Sequence, residues 1–266
     1  MPETTQLGAA AGDASPDGTG SNPSSTGSGR DGAAPPKITT LLLVRHAVTA
    51  QTGPMLSGRA PGIDLSDTGR AQADAVGMRL ASLPVAVVYA SPIERTTQTA
   101  EAIARHHELP VRPLPGVIEA DYGEWTGGKL AELARTELWK TVQFAPSRAS
   151  FPGGESLAGM QARMVTALEE VATQHAGSMI VVVSHADPIK AAIAHYTGVH
   201  LDLFQRIVVS PASVTVLALS PHGAALMKCN DTGSLADVVP SSPQNDADAD
   251  GARVDGDAPG HEVRDG

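Results

Sequence analysis

Three apolar runs, rich in β-branched residues, stop abruptly on polar side chains. "ITTLLLV" (38–44) runs into Arg45 and His46, "VAVVYA" (85–90) into Ser91 and Pro92, and "MIVVVS" (179–184) into His185. Runs of this length without polar alternation suit strands covered on both faces, as in a parallel sheet. Segments of helical character lie between them. "SDTGRAQADAVGMRLASL" starts with Ser66 or Asp67 as N-cap and places Ala71, Ala75, Met78 and Leu80 on or near one face. "IERTTQTAEAIARHH" has Pro92 at its first turn. "GGESLAGMQARMVTALEEVATQ" is a long helix ahead of the third run, and "ADPIKAAIAHYTG" a helix after it. A short helical region is expected over 129–144, and "SVTVLALS" and "AALMKCN" read as paired strands near the end. This alternation predicts an α/β fold, a three-layer sandwich around a mostly parallel central sheet.

Open α/β sheets bind ligands beyond the C-terminal ends of their strands. Arg45, His46, Arg95 and His185 all fall at such ends. Guanidinium groups grip phosphate bidentately and stay charged at any relevant pH. A neutral imidazole is a nucleophile toward phosphorus, and a second, protonated one stabilises charge on the equatorial oxygens. The helix N-termini after Ser91-Pro92 and Asp187-Pro188 offer further N–H donors. The set suits phosphoryl transfer to and from a small phosphorylated metabolite. A proton donor for the leaving alkoxide is still needed, and Glu119 in "VIEADYGEW" is the candidate, with Asp121 and Glu124 close by.

The composition narrows the setting. Residues 230–266 hold nine acidic and two basic residues, −7 of the chain's −10, so the charge is concentrated in a tail. Nothing there suggests a basic nucleic-acid surface. Residues 1–37, rich in Gly, Ser, Pro and Thr, and the acidic tail 230–266 are expected to be disordered, leaving 38–229 as the one domain. Residues 1–37 lack the basic start and apolar run of a secretory signal. Cys229 is the lone cysteine, and no apolar run approaches the ~20 residues of a membrane span. The expectation is a cytoplasmic protein that engages neither membrane nor nucleic acid. Its oligomeric state stays open, with a homodimer among the options. The remaining histidines show no metal-ligand spacing, and no metal or cofactor is expected. Five of the eight aromatics (Tyr122, Trp125, Trp139, Phe144 and Phe151) cluster in one segment, either as an apolar lid over substrate or as the core of a small cap.

"LVRHA", "SPIERTTQTA", "EADYGEWTG" and "VVVSHAD", in that order, resemble the motifs of the histidine phosphatase superfamily, also called the phosphoglycerate mutase-like fold. "SGRAPGIDLSDTGRAQA" and "FPGGESL" extend the resemblance across 38–229, with a branch of actinobacterial chains labelled phosphomutases the most similar. The resemblance implies that His46 is phosphorylated on Nε2, that Arg45 and Arg95 clamp the phosphate, and that His185 completes the pocket. Glu119 then gives a proton to the leaving group and later activates water. Ser57 and Gly58 match a substrate-contacting loop, and Thr52 (or Gln51) falls where mutases often carry Asn. Ala47 stands where the family motif usually has Gly, and Ala186 likewise follows the second histidine; alanine is small enough to leave close phosphate approach open. Val48 replaces the Glu common in mutase-type motifs. The segment from Gly127 to Pro152 is short and holds only Lys129, Arg135, Lys140 and Arg148 as cations, whereas cofactor-dependent mutases insert a longer basic segment. Asp187 lies one residue beyond the place where some acid phosphatases carry their acid, which favours Glu119. The first reading is therefore a cofactor-independent phosphatase working through a phosphohistidine. A phosphomutase is the alternative, and a catalytically weak phospho-ligand-binding regulatory protein the reading from another class.

Overall fold

Both faces of the first strand are apolar, and that fact organises the chain. A computed structural model describes residues 37–233. Apart from Lys37 and residues 230–233, the two terminal segments expected to be disordered lie outside the described residues. In chain order the elements are β1 (Thr39–Arg45), β2 (Met55–Leu56), α1 (Asp67–Leu80), β3 (Val85–Ala90), α2 (Glu94–Ala104), β4 (Val111–Pro113), β5 (Gly128–Lys129), α3 (Leu130–Leu133), α4 (Glu137–Phe144), α5 (Leu157–Gln174), β6 (Met179–Ser184), α6 (Ala186–Tyr196), β7 (Val214–Ser220) and β8 (Gly223–Asp231). The central sheet has the order β4-β3-β6-β1-β7-β8. Its β4-β3-β6-β1 portion is parallel, while β7 runs antiparallel to β1 and β8 antiparallel to β7. β2 and β5 form a separate two-residue pair.

Successive side chains of a strand point to opposite faces, and here each face meets helices. Leu42, Val44, Val88, Val181 and Val183 pack with Ala73, Val76 and Leu80 of α1 and Ala100 and Ile103 of α2. Leu41, Leu43, Val87, Ile180 and Val182 pack with Met164, Leu168 and Val171 of α5 and Ile189 and Ile193 of α6. Burying each such side chain stabilises the fold by ~1.5–3 kcal/mol, which makes helix–sheet–helix layering the arrangement that covers every apolar run. The expected three-layer α/β sandwich is observed. Because β6 enters between β1 and β3, and its flanking helices lie on the opposite face from α1 and α2, the crossovers reverse at β1, β6 and β3. That is where a crevice opens.

Three local expectations change. Ser66 is the N-cap of α1, its Oγ accepting from Gly69 N–H at 3.0 Å. The buried face, however, is Gly69, Ala73, Val76, Gly77 and Leu80; Ala71 and Ala75 are exposed and Met78 is 64% exposed. Two glycines explain the rotation. A Cβ on Gly69 would lie 1.9 Å from the Val48 carbonyl oxygen, and one on Gly77 2.4 Å from that of Ala102. Only a side-chain-free stripe lets the helix approach that closely. Pro92 precedes the α2 N-cap, Ile93, instead of sitting in its first turn. The helical region over 129–144 is split into α3 and α4, because Thr136 caps a fresh start with its Oγ1 accepting from Trp139 N–H at 3.3 Å.

The excursion between β4 and α5 forms a cap. Tyr122, Trp125 and Phe151 are buried there with Val142, Leu157, Met160 and Phe204. Trp125 stacks on Trp139 with centroids 6.2 Å apart, while Phe144 is 81% exposed. Of the five clustered aromatics, only Tyr122 lines the crevice beside the sheet. Among the described residues, no helix is long and apolar enough to cross a membrane.

Candidate active site

β1, β6 and β3 end side by side. His46 N–H donates to the Ser184 carbonyl at 2.9 Å, and Ser91 N–H donates to that of Val183 at 2.9 Å. This hydrogen bonding carries the sheet one residue past its strands and delivers His46, Ser91 and His185 to one spot. Arg95 arrives from the first turn of α2, and Glu119 from the segment after β4. Arg45, His46, Arg95, Glu119 and His185 are each at most 8% exposed, so five ionisable groups share a site with little bulk solvent.

Each hydrogen bond fixes a tautomer. His46 Nδ1 lies 2.8 Å from the Ala47 carbonyl oxygen, which only accepts, so Nδ1 carries the proton and Nε2 is bare. Arg95 Nε donates to that Nε2 at 3.3 Å. Arg95 Nη2 donates to the Gly58 carbonyl at 2.8 Å and to His185 Nδ1 at 3.1 Å. His185 therefore holds its proton on Nε2, which donates to Ser91 Oγ at 2.8 Å. The two imidazole rings sit 5.2 Å apart, edge to face. Arg95 Nη1 is buried without a hydrogen-bond partner among the described residues, a donor in place for an oxyanion. Arg45 is anchored by Nη1 donating to the Val209 carbonyl at 2.7 Å.

The electrostatics separate the bases from the acid. Burial, then the charges of Arg95 and Arg45, hold His46 well below its ordinary value, so it is neutral at neutral pH. Burial and then Arg95, His46 and Arg45 do the same to His185. The second histidine is thus neutral, not the protonated group expected from the sequence. Burial and two neighbouring guanidinium charges disfavour a further positive charge on either ring. Glu119 moves the other way. Burial, followed by the nearby Asp187 carboxylate, pushes it up to about 7 against the pull of Arg95, the Ala120 N–H and Arg45. Its Oε2 lies 3.9 Å from His185 Nδ1, and its Oε1 accepts from Ala120 N–H at 2.9 Å.

Arg45, His46, Arg95, Glu119 and Ala186 line a cavity of ≈ 50 Å³ together with Thr52, Ser57, Gly58, Gln51, Tyr122 and Asp187. At ~10–15 Å³ per water this holds roughly four water-sized groups, the oxygen count of a phosphate. His185 backs it through Arg95 and Ser91. Ser57 Oγ donates to Gln51 Oε1 at 3.0 Å, and Thr49 N–H to Thr52 Oγ1 at 2.9 Å, so loop 49–58 is tied internally. Gly58 has φ +54, and a Cβ there would press on Tyr122 and Thr126 at 3.0 Å. Of the two helix N-termini expected at the site, that of α6 lines the cavity through Ala186 and Asp187; Pro92 faces another one. Val48 does not line the cavity, and neither do Lys129, Arg135, Lys140 and Arg148. Asp121 and Glu124 do not either. A larger cavity of ≈ 680 Å³ at the opposite end of the strands, bounded by Lys37, Glu169, His195 and Tyr196, gathers no such set of converging groups.

Sequence reasoning did not find Ser91 as a side-chain partner, nor Arg59 and Arg163, nor Asp187 as a neighbour of the acid. Tyr122 Oη donates to Asp187 Oδ2 at 2.8 Å, and Lys190 Nζ lies 3.8 Å from Asp187 Oδ1. Ser91 was signalled by its position after an apolar run, as His46 and His185 were.

A family model described as the histidine phosphatase superfamily (branch 1) matches residues 41–232. Phosphoserine phosphatase 1 of Hydrogenobacter thermophilus is 34% identical over 202 residues, covering 74% of this chain and 94% of its own. The metal-independent phosphoserine phosphatase of Arabidopsis thaliana is 32% identical over 170 residues, 60% of this chain and 70% of its own. Among solved structures, a phosphoserine phosphatase mutant from Entamoeba histolytica in complex with phosphoserine matches with a TM-score of 0.65 at 25% identity, over 73% of this chain and 98% of its own. A mycobacterial glucosyl-3-phosphoglycerate phosphatase shares the fold with a TM-score of 0.67 at 22% identity, over 73% of this chain and 100% of its own.

Proposed function

We propose that this chain, which belongs to the histidine phosphatase superfamily, hydrolyses a small phosphomonoester through a phosphohistidine at His46. The observation that carries the reading is the bare Nε2 of His46. It is fixed by the Ala47 carbonyl and faces a phosphate-sized cavity under Arg95, with a carboxyl titrating near neutrality beside it. In the first step Nε2 attacks phosphorus, the ester P–O bond breaks, and the Glu119 carboxyl gives its proton to the departing alkoxide. In the second, water attacks phosphorus, Glu119 takes one of its protons, and the N–P bond breaks to release phosphate and restore neutral His46. Arg45 and Arg95 hold the oxygens throughout. His185 completes the pocket from behind, through Arg95 Nη2 and Ser91 Oγ, and an arriving dianion favours its protonation. Thr52, Ser57 and Gly58 sit where the alcohol portion of a substrate enters.

Phosphoserine is the first substrate to test, because two relatives and one structural neighbour carry that name. Hydrolysis is favoured over mutase chemistry by the cap's cations Lys129, Arg135, Lys140 and Arg148, which do not line the cavity. Lys129 pairs with Glu132 at 3.2 Å and Lys140 with Glu137 at 2.9 Å, all on exposed side chains, leaving a second phosphate without a basic partner there. The experiment follows inorganic phosphate and acid-labile phosphoprotein with phosphoserine, phosphoglycerate and an aryl phosphate. Wild type should release phosphate and label, and His46→Ala should do neither. Isomerised product without free phosphate points to the mutase. Equal inactivity of both proteins on every compound removes the enzymatic reading.

A further inference from the structure

Glu119 poses a positioning problem that its own contacts do not solve. The bond from Ala120 N–H orients the carboxyl against the adjacent backbone but does nothing to place that backbone. Residues 118–122 lie outside any strand or α-helix. Their placement comes from elsewhere. Arg163, on α5, uses all five of its N–H donors. Nη1 donates to the Gly116 and Ile118 carbonyls at 2.9 and 2.7 Å, and Nη2 to that of Glu119 at 3.0 Å. Nε and Nη2 then grip Glu155 Oε2 and Oε1 at 3.0 and 2.6 Å. Arg59, from the loop that carries Gly58, reaches the same Glu119 carbonyl through Nε at 2.8 Å and Glu155 Oε1 through Nη2 at 2.9 Å. Glu155 Oε1 also accepts from Asp121 N–H at 2.8 Å.

Two guanidinium groups thus converge on one carbonyl oxygen, and one carboxylate lies between them. Without that carboxylate the two cations have no shared counter-charge. The three side chains are 21–31% exposed, so the interaction is partly sheltered and its geometry is directed by paired donors. Glu155 remains ionised at neutral pH: burial opposes this, but hydrogen bonds from Arg163 and Asp121 N–H and the two arginine charges outweigh it.

We propose that Glu155 is a positioning residue for the reaction: with Arg59 and Arg163 it forms an ion-pair hub that holds the Glu119 backbone, and hence its carboxyl, in register with His46 and His185. The hub also couples that carboxyl to loop 57–62, whose Gly58 carbonyl receives Arg95 Nη2. The inference rests on Glu119 being the acid, and the test separates the two claims.

The value of kcat/KM reports steps up to formation of the phosphohistidine. An alkyl phosphate needs a proton on its leaving group there, whereas p-nitrophenyl phosphate does not. Glu155→Gln, in the full chain, is expected to lower kcat/KM for phosphoserine or glycerol phosphate by ~10-fold or more, part of the ~10²–10⁴ a positioned acid supplies, and to change it less than ~3-fold for p-nitrophenyl phosphate. Its kcat/KM limb near neutral pH should also weaken or shift. Glu119→Gln is the reference and should show the same discrimination more strongly. If Glu119→Gln discriminates and Glu155→Gln lowers both substrates equally, or neither, the hub is structural only and the proposal fails. If Glu119→Gln itself does not discriminate, it is the acid assignment that fails. Should Glu155→Gln not fold by circular dichroism, Arg59→Lys carries the same test. It keeps the charge near Glu155 but removes the directed bond to the Glu119 carbonyl, and the same two-substrate outcome decides.

Discussion

Replacing Glu119 with Gln is expected to cost activity and add stability, and the added stability should grow with pH. The folded protein holds this carboxyl up to about 7, against an ordinary value of 4.5. The sign follows from proton counts. Between those values the folded chain binds a proton that the unfolded chain has released, so stability falls as pH rises through that window. The full cost, reached above the folded value, is about 3 kcal/mol, from ~1.36 kcal/mol per unit. From about pH 5 to about pH 8 the wild type should lose about 2–3 kcal/mol from this group alone, and Glu119→Gln should lose none of it. For a domain of this size that is about 5–10 °C in Tm. Urea or thermal unfolding of both proteins across this range reads the difference directly, since the other titrating groups are common to both. A gap that stays constant with pH, or one that narrows as pH rises, refutes the argument that burial and the Asp187 charge keep Glu119 protonated.

The same carboxyl gives wild-type kcat/KM on an alkyl phosphate a descending limb near pH 7, because the acid must be protonated; in Glu119→Gln that limb should vanish from a profile lowered by ~10²–10⁴. Ser91→Ala removes the acceptor of His185 Nε2–H, 2.8 Å away in a fully buried setting. Circular dichroism melts should show a loss of ~1–3 kcal/mol, and kcat/KM should fall while KM for phosphate esters changes less. Arg95→Lys replaces bonds to His46, Gly58 and His185 with one point charge, so inhibition by inorganic phosphate should weaken by about 10–100-fold. Gly69→Ala places a Cβ 1.9 Å from the Val48 carbonyl, and the resulting overpacking should cost ~1–3 kcal/mol in chemical denaturation.

Much of the layered fold is visible in the sequence because its three long parallel strands are apolar on both faces and each stops on a polar residue. The same punctuation exposes Arg45, His46 and His185, whose positions depend only on where a strand ends. Side chains placed by non-local geometry are harder to read. Arg163 meets Glu155 eight residues away on one helix entry, yet its other targets lie 44–47 residues off, and nothing in "GMQARMV" distinguishes it from a surface arginine. The buried face of α1 is hard to read for a related reason: alanines on both sides of a helix leave the apolar stripe ambiguous, and glycines that permit close approach carry no hydrophobic signal. The spacing of Asp187 from His185 argues against a place for it at the site, yet a helix beginning at residue 186 turns it into the cavity.

β1 has a hydrogen-bonded neighbour on each side and helices over both faces, whereas Glu119 hangs from an excursion with a separate apolar cluster. The proposed nucleophile and the proposed acid are therefore supported differently, one at the end of a strand inside the sheet and the other by backbone outside any strand or α-helix. Hydrogen exchange should accordingly be slow at residues 41–45, which are paired on both sides, and faster over 118–125. The carboxyl that needs the closest placement thus rests on the less paired backbone, and its placement falls to the side chains that grip that backbone.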